Sequence, residues 1–165
     1  MEKNISIIGV GKLGLCLSLN LEKNGFNIIA VDKSADYISS LKNKSFKSEE
    51  DGVTELLLNS KNINFTNNIL DALINNIIFL VVATPSLENG NYDHQQIDDL
   101  VNYFITLGFN EVPKHLVICC TTMPGYTDTV INRLSLAYSI LPITSKNQKW
   151  CDPPMWFVTT TPIPI

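Results

Sequence analysis

Apolar residues fall along this chain in two rhythms. Short runs dense in Ile, Val and Leu alternate with longer stretches in which apolar positions recur every three or four residues. Ile5-Ser6-Ile7-Ile8 predicts a strand. Leu13, Cys16, Leu17 and Leu21, at i, i+3, i+4 and i+8, predict a helix with that face toward the sheet. Asn27-Ile28-Ile29-Ala30-Val31-Asp32 reads as a second strand ending in a carboxylate. Ser34 is placed to cap a helix with Tyr37, Ile38 and Leu41 on one side. Residues 43–51 are polar and read as a loop, and residues 52–60, with Leu56-Leu57-Leu58, as a short helix. Ile63-Asn64-Phe65-Thr66 is a weak third strand, and a short helix is expected over about residues 69–75.

Ile77-Ile78-Phe79-Leu80-Val81-Val82 is continuously apolar, as expected of a central parallel strand covered on both faces. Asp93 as N-cap, Gln96 at N3 and a Tyr92/Ile97 staple predict the next helix, with Ile97, Leu100, Val101 and Phe104 on its apolar face. Leu116-Val117-Ile118-Cys119-Cys120 is a further buried strand, and a helix is expected over residues 126–135. This order predicts an α/β protein: a single domain built on a doubly wound, mostly parallel, Rossmann-like sheet.

Composition narrows the function classes. The chain has 165 residues, 45% hydrophobic and 17% charged, with a net charge of −4, which fits a globular protein. Arg133 is its single arginine, and no basic face or aromatic–basic interleaving is present, so a nucleic-acid partner is not expected. The longest apolar run, Ile77 to Ala83, is too short to span a bilayer, so no membrane role is expected. Met1-Glu2-Lys3-Asn4 leads directly into a strand, which leaves no room for a signal peptide and points to a cytoplasmic protein. Cys16, Cys119, Cys120 and Cys151 lack ligand spacing with His94 and His115, so no metal site is expected. Cys119 and Cys120, adjacent in a strand, are read as buried structural thiols on opposite faces.

The chemistry concentrates where the first strand meets the first helix. Gly9-Val10-Gly11-Lys12-Leu13-Gly14 is a GxGxxG element in strand–turn–helix context. Gly9 permits the turn, Gly11 lets a pyrophosphate approach the backbone, and Gly14 lets helix and strand pack closely. The open N–H groups of the helix then face the phosphates. Asp32, 18 residues past Gly14, is placed to accept hydrogen bonds from the adenosine ribose. It would repel a 2′-phosphate and so favours NAD over NADP, whereas Lys33 beside it would tolerate that phosphate. The plain alternative is a glycine turn in a non-binding α/β protein. Two more polar turns, Ala83-Thr84-Pro85 and Thr121-Thr122, sit at predicted strand ends, where such sheets bind ligands. Ordinary turn and cap chemistry is the alternative there.

Taken in order, these residues resemble the UDP-glucose/GDP-mannose dehydrogenases. The likeness rests on Gly9 to Gly14, Asp32, Glu50-x-Gly52 before Glu55-Leu56-Leu57, Val81-Val82-Ala83-Thr84-Pro85, Asp93 and Thr121-Thr122-Met123-Pro124, and covers about residues 3–134. It implies NAD as cofactor and oxidation of a nucleotide-sugar C6 alcohol to a carboxylate through a cysteine thiohemiacetal. It also implies that Gly9, Val10, Gly11, Lys12, Leu13 and Gly14 hold the pyrophosphate, with Asp32 and Lys33 at the adenosine ribose. Ala83, Thr84 and Pro85 would line the dinucleotide groove, and Thr121 and Thr122 would lie near the nicotinamide. Thr122 would correspond to the threonine that orients catalytic water. Glu50-Asp51-Gly52 stands where the family has Glu-Pro-Gly, and Met123-Pro124-Gly125-Tyr126 also departs from its pattern.

Beyond about Ser135 the composition shifts. Residues 136–165 hold five of the eight prolines and both tryptophans, while asparagine occurs 17 times up to Asn132 and once later. The family's Asn-Pro-Glu-Phe and Gly-x-Cys elements are not found. Residues 1–135 are therefore read as an NAD-binding domain and 136–165 as an irregular, Pro-rich tail, either frameshift-derived or a divergent C-terminal strand and loop. The chain is expected to bind a dinucleotide, and to meet a nucleotide sugar only with a completing chain. Apolar surface left by missing companion domains points to a homo-oligomer or a bound partner. Ile140-Leu141-Pro142-Ile143 and Met155-Trp156-Phe157-Val158 are candidate covers. A non-catalytic NAD-binding or relic module is the alternative function. Within enzymes, the alternative is a 3-hydroxyacid or 6-phosphogluconate type of dehydrogenase.

Overall fold

In the computed structural model of the chain, which describes residues 3–107, 114–138 and 156–160, the alternation of strand and helix follows the apolar rhythms. The chain divides into two compact units, Met1–Val81 and Val82–Ile165.

The first unit holds β1 (Asn4–Ile8), α1 (Lys12–Lys23), β2 (Asn27–Val31), α2 (Ala35–Lys42), α3 (Val53–Asn59), β3 (Ile63–Thr66), a 3-10 helix (Ile69–Ile74) and β4 (Ile77–Leu80). Its strands are all parallel, in the order β3-β2-β1-β4. Chain order reverses at β1, so the switch point of a doubly wound sheet lies between β1 and β4. Strand alternation sends Ile5 and Ile7 to one face, into a core with Leu15, Leu19, Ile38, Leu41, Val53 and Leu57 of the helices. On the other face Ser6 is fully buried and its hydroxyl accepts from Asn75 Nδ2 at 3.1 Å, just past the 3-10 helix.

Local chemistry sets the helix ends. Ser34 Oγ accepts from Tyr37 N–H at the start of α2, as expected, and Asn68 caps the 3-10 helix. The C-terminus of α1 closes with Gly25 at φ +85°. Gly25 N–H donates to Glu22 O and Phe26 N–H to Leu21 O, the paired bonds of a Schellman motif.

The second unit opens with a loop pinned by an antiparallel bridge between Ser86 and Tyr92. It continues with α4 (Gln95–Leu107), β5 (Lys114–Ile118), α5 (Tyr126–Tyr138) and β6 (Trp156–Thr160). β5 and β6 pair in parallel, with Leu116 opposite Val158. Ile97, Val101 and Phe104 form the buried stripe of α4, and Val130 and Leu134 that of α5. Leu100, expected on the α4 stripe, is half-buried. Asp93 Oδ1 accepts from Gln95 N–H at 2.8 Å, while the first helical carbonyl is that of His94.

Two expectations need correction. The buried face of α1 is Gly14, Leu15, Ser18 and Leu19; Leu13 is 57% exposed, and Cys16, Leu17 and Leu21 are half-buried. A serine on that face hid the stripe. Its hydroxyl is satisfied by Gly14 O at 2.7 Å, so it buries at little cost. Cys119 and Cys120 lie past the end of β5 and are half-buried, so they are not opposed core thiols within a strand. Beyond Ser135, α5 runs on to Tyr138, and Trp156–Thr160 is a strand. Of the two apolar segments named as covers, residues 140–143 lie outside the described residues, as does Met155.

Candidate functional site

The first unit gathers the glycine loop, Asp32 and Glu50. The loop leaves β1 at Gly9, whose φ of +93° suits glycine and whose N–H donates to Val31 O at 2.8 Å. Gly14 is fixed by contact: a Cβ there would lie 2.0 Å from Gly9 O. Gly11 differs. It is the N-cap of α1 at φ −68°, a value open to any residue, and a Cβ on it would meet nothing within 4 Å. The fold thus accounts for Gly9 and Gly14, and leaves space in front of Gly11. α1 has no side-chain cap and no acidic residue in its first turn, so its N–H groups and dipole face that space unneutralised from within the helix. Lys12 and Leu13 are exposed, and Val10 is fully buried.

Asp32 follows β2 and is aimed at this loop. Its Oδ2 accepts from Val10 N–H at 3.2 Å and its Oδ1 from Ser34 N–H at 3.0 Å. A carboxylate has about four lone-pair positions, so acceptor capacity remains for a ligand. Lys33 beside it is exposed. Tyr37 lies close by, edge-on to Phe46 at 5.2 Å; burial, then the Asp32 charge, pushes its hydroxyl up to about 12.

Sequence reading did not foresee the partner of Lys12. Its ammonium forms an ion pair with Glu50, and the hydrogen bond to that carboxylate holds its pKa above the ordinary lysine value. Glu50 is presented by a braced loop. Ser48 N–H donates to Thr54 Oγ1, Glu50 N–H donates to Ser48 Oγ, and Gly52 takes φ +77° to open α3. No spacing in the sequence marks this pair, whose residues lie 38 positions apart. Elsewhere in this unit, a cavity of about 470 Å³ lies at the amino ends of β1 to β3, lined by Asn4, Asn27, Asn62, Asn64 and Asn75. That is the opposite end of the strands from the glycine loop.

The second unit holds the remaining candidates. Ala83 and Pro85 are exposed and Thr84 is half-buried, with Pro85 O accepting from Asp93 N–H at 2.8 Å. Thr121 is exposed and Thr122 half-buried. The two turns approach through Cys120, which hydrogen-bonds the backbone of Val82; burial pushes its thiol up to about 11, away from thiolate reactivity.

A side-chain network that sequence reading missed holds the Thr121–Met123 turn. Met123 N–H donates to His94 Nε2 at 3.2 Å, and the His94 ring stacks on Tyr126 at 3.8 Å. Tyr126 Oη donates to Asp98, which also receives Arg133, and Arg133 donates to Asn102 Oδ1 at 2.7 Å. Burial, then the bond to Asp98, raises the Tyr126 hydroxyl above its usual pKa. Among the described residues no cluster of His, Cys, Asp or Glu is able to hold a metal, and no helix is long and apolar enough to cross a membrane.

Residues 3–140 match the family model for the NAD-binding domain of the UDP-glucose/GDP-mannose dehydrogenase family. The chain belongs to this family. It is 31% identical to the UDP-glucose 6-dehydrogenase of Rickettsia prowazekii over 138 residues, which is 78% of this chain and 30% of that protein. Its fold is similar to that of GDP-mannose dehydrogenase from Pseudomonas aeruginosa, with a TM-score of 0.75 and 24% identity over 84% of this chain and 33% of that one. UDP-D-ManNAc dehydrogenase from Pyrococcus horikoshii gives a TM-score of 0.78 at 16% identity, over 98% of this chain and 36% of that one. The chain spans 15 to 32% of the length of the curated relatives it matches. It is an NAD-binding domain of the doubly wound type, and the family match sets aside the 3-hydroxyacid and 6-phosphogluconate alternatives.

Proposed function

We propose that this chain holds NAD for a nucleotide-sugar dehydrogenase, and that oxidation of the sugar C6 alcohol needs residues beyond those it carries. The observation that supports the site is the open space at Gly11, a glycine the fold itself does not require. Gly9 to Gly14 would hold the diphosphate, Asp32 the adenosine ribose, with Lys33 beside it. Ala83, Thr84, Pro85, Thr121 and Thr122 would serve the nicotinamide half, with Thr122 placed to orient water. NAD, when bound, supplies the hydride acceptor. Two of the described cysteines do not suit the thiohemiacetal step: Cys16 is half-buried in α1, and the Cys120 thiol is raised by burial. Cys151 lies outside the described residues.

The family match ending at residue 140 supports a domain boundary near Ser135, while β6, paired with β5, speaks for the C-terminal segment contributing a strand rather than an irregular tail. Self-association or a completing chain is proposed on the sequence reading. A cytoplasmic location is proposed on the sequence reading.

Calorimetry on the purified chain tests the site. NAD should bind more tightly than NADP, and Asp32→Ala should weaken NAD about tenfold and erase that preference. Equal or tighter binding of NADP by the unaltered chain would remove Asp32 from this role. With UDP-glucose or GDP-mannose and NAD, the chain alone should form no NADH; steady turnover would overturn the second half of the proposal.

A further inference from the structure

The glycine loop carries one ammonium, that of Lys12, at the first position of α1. A cation sits poorly at a helix N-terminus, whose dipole end is already positive. Helix end and ammonium together make a site for an anion, and the open face of Gly11 lies within the same loop. Glu50 reaches that ammonium from the loop before α3, with Glu49 and Asp51 exposed on either side of it. Its approach is not an accident of a loose segment, since Ser48, Thr54 and the left-handed Gly52 brace the loop.

We propose that Glu50 is a built-in competitor for the dinucleotide diphosphate, occupying Lys12 in the empty site and yielding it when the diphosphate arrives. This rests on the NAD-binding reading of the glycine loop and adds a regulator of affinity to it. The diphosphate meets two costs: it must displace the Glu50 carboxylate from Lys12, and it must approach the negative charge of the 49–51 loop. In return it gains both the ammonium and the helix N–H groups. Lys12 is thereby a cationic contact for the diphosphate beside the helix N–H groups, and Glu50 sets how much of that contact is realised.

The test is NAD titration of the full 165-residue chain by calorimetry at low ionic strength, with a melting curve for each variant. Glu50→Gln, nearly isosteric at a partly exposed position, should tighten NAD roughly two- to fivefold, the scale of an exposed ion pair. Lys12→Met should weaken NAD by a similar factor, and in that background Glu50→Gln should lose most of its gain. The difference between the unaltered chain and Glu50→Gln should shrink as salt screens the pair. Unchanged or weaker binding by a folded Glu50→Gln variant would overturn the proposal and leave the NAD site standing. Failure of the unaltered chain to bind NAD would overturn both.

Discussion

The two units solve the same problem, holding a polar turn at a strand end, with different materials. In the first unit the turn is built mainly from backbone. Gly9 takes a positive φ, Gly14 admits Gly9 O at a distance no side chain would allow, and Val10 N–H docks on Asp32. In the second unit the Thr121–Met123 turn depends on side chains brought from two helices. His94 precedes α4, Asp98 and Asn102 lie on it, and Tyr126 and Arg133 lie on α5, with pairings that span 28 to 35 residues. A backbone-built site tolerates surface change but not a single methyl in the wrong place. A side-chain-built site weakens by degrees as each partner is removed.

The largest effect expected from this contrast is at Gly14. A methyl 2.0 Å from a backbone oxygen cannot be absorbed by rotamer change, so Gly14→Ala should cost about 4 kcal/mol or more, read by thermal or denaturant unfolding. Gly11→Ala is the control that sharpens it. With open space and an ordinary φ, it should change stability by no more than about 1 kcal/mol, yet weaken NAD about tenfold by calorimetry. A Gly14→Ala protein as stable as the parent would break the account of the loop.

A smaller effect is expected in the second unit. Arg133→Met removes the bonds to Asp98 and Asn102 at a site about one-third exposed, and should cost about 1 kcal/mol in urea unfolding. The loss should come with changed amide signals at Met123, because Asp98 also anchors Tyr126, on which His94 stacks. No change at Met123 would show that the network does not act as one.

The smallest effect is in alkali. The Tyr37 hydroxyl is raised to about 12 by burial, against an ordinary value of 10.0, so the folded chain holds that proton more tightly than the unfolded one. Its contribution to stability is complete below pH 10 and is lost as pH rises toward 12. Tyr37→Phe should flatten the fall in stability over that window, followed by denaturation at stepped pH. Ultraviolet titration of the unaltered chain should show the Tyr37 phenolate forming late for this reason, and that of Tyr126 late as well, its hydroxyl being raised by burial and by Asp98.

What was legible in the residues alone was whatever one segment decides within itself. The runs at residues 5–8, 27–32 and 77–82 announced parallel strands, because continuous apolar runs are stable only when covered on both faces. The glycine spacing and Asp32 announced the loop, because positive φ and close backbone approach restrict the residue type at the position itself. Ser34 announced its helix for the same local reason.

Tertiary structure decided the rest. The face of α1 that is buried includes Ser18, acceptable there only because Gly14 O accepts its proton. The division of the three glycines into two required by the fold and one facing open space depends on where Gly9 O lies, not on spacing. The Lys12–Glu50 pair and the His94–Tyr126–Asp98–Arg133 network join residues 28 to 38 positions apart. Such pairs depend on how helices and loops are set against the sheet, and the energy of any one of them is too small to leave a periodic mark in the sequence.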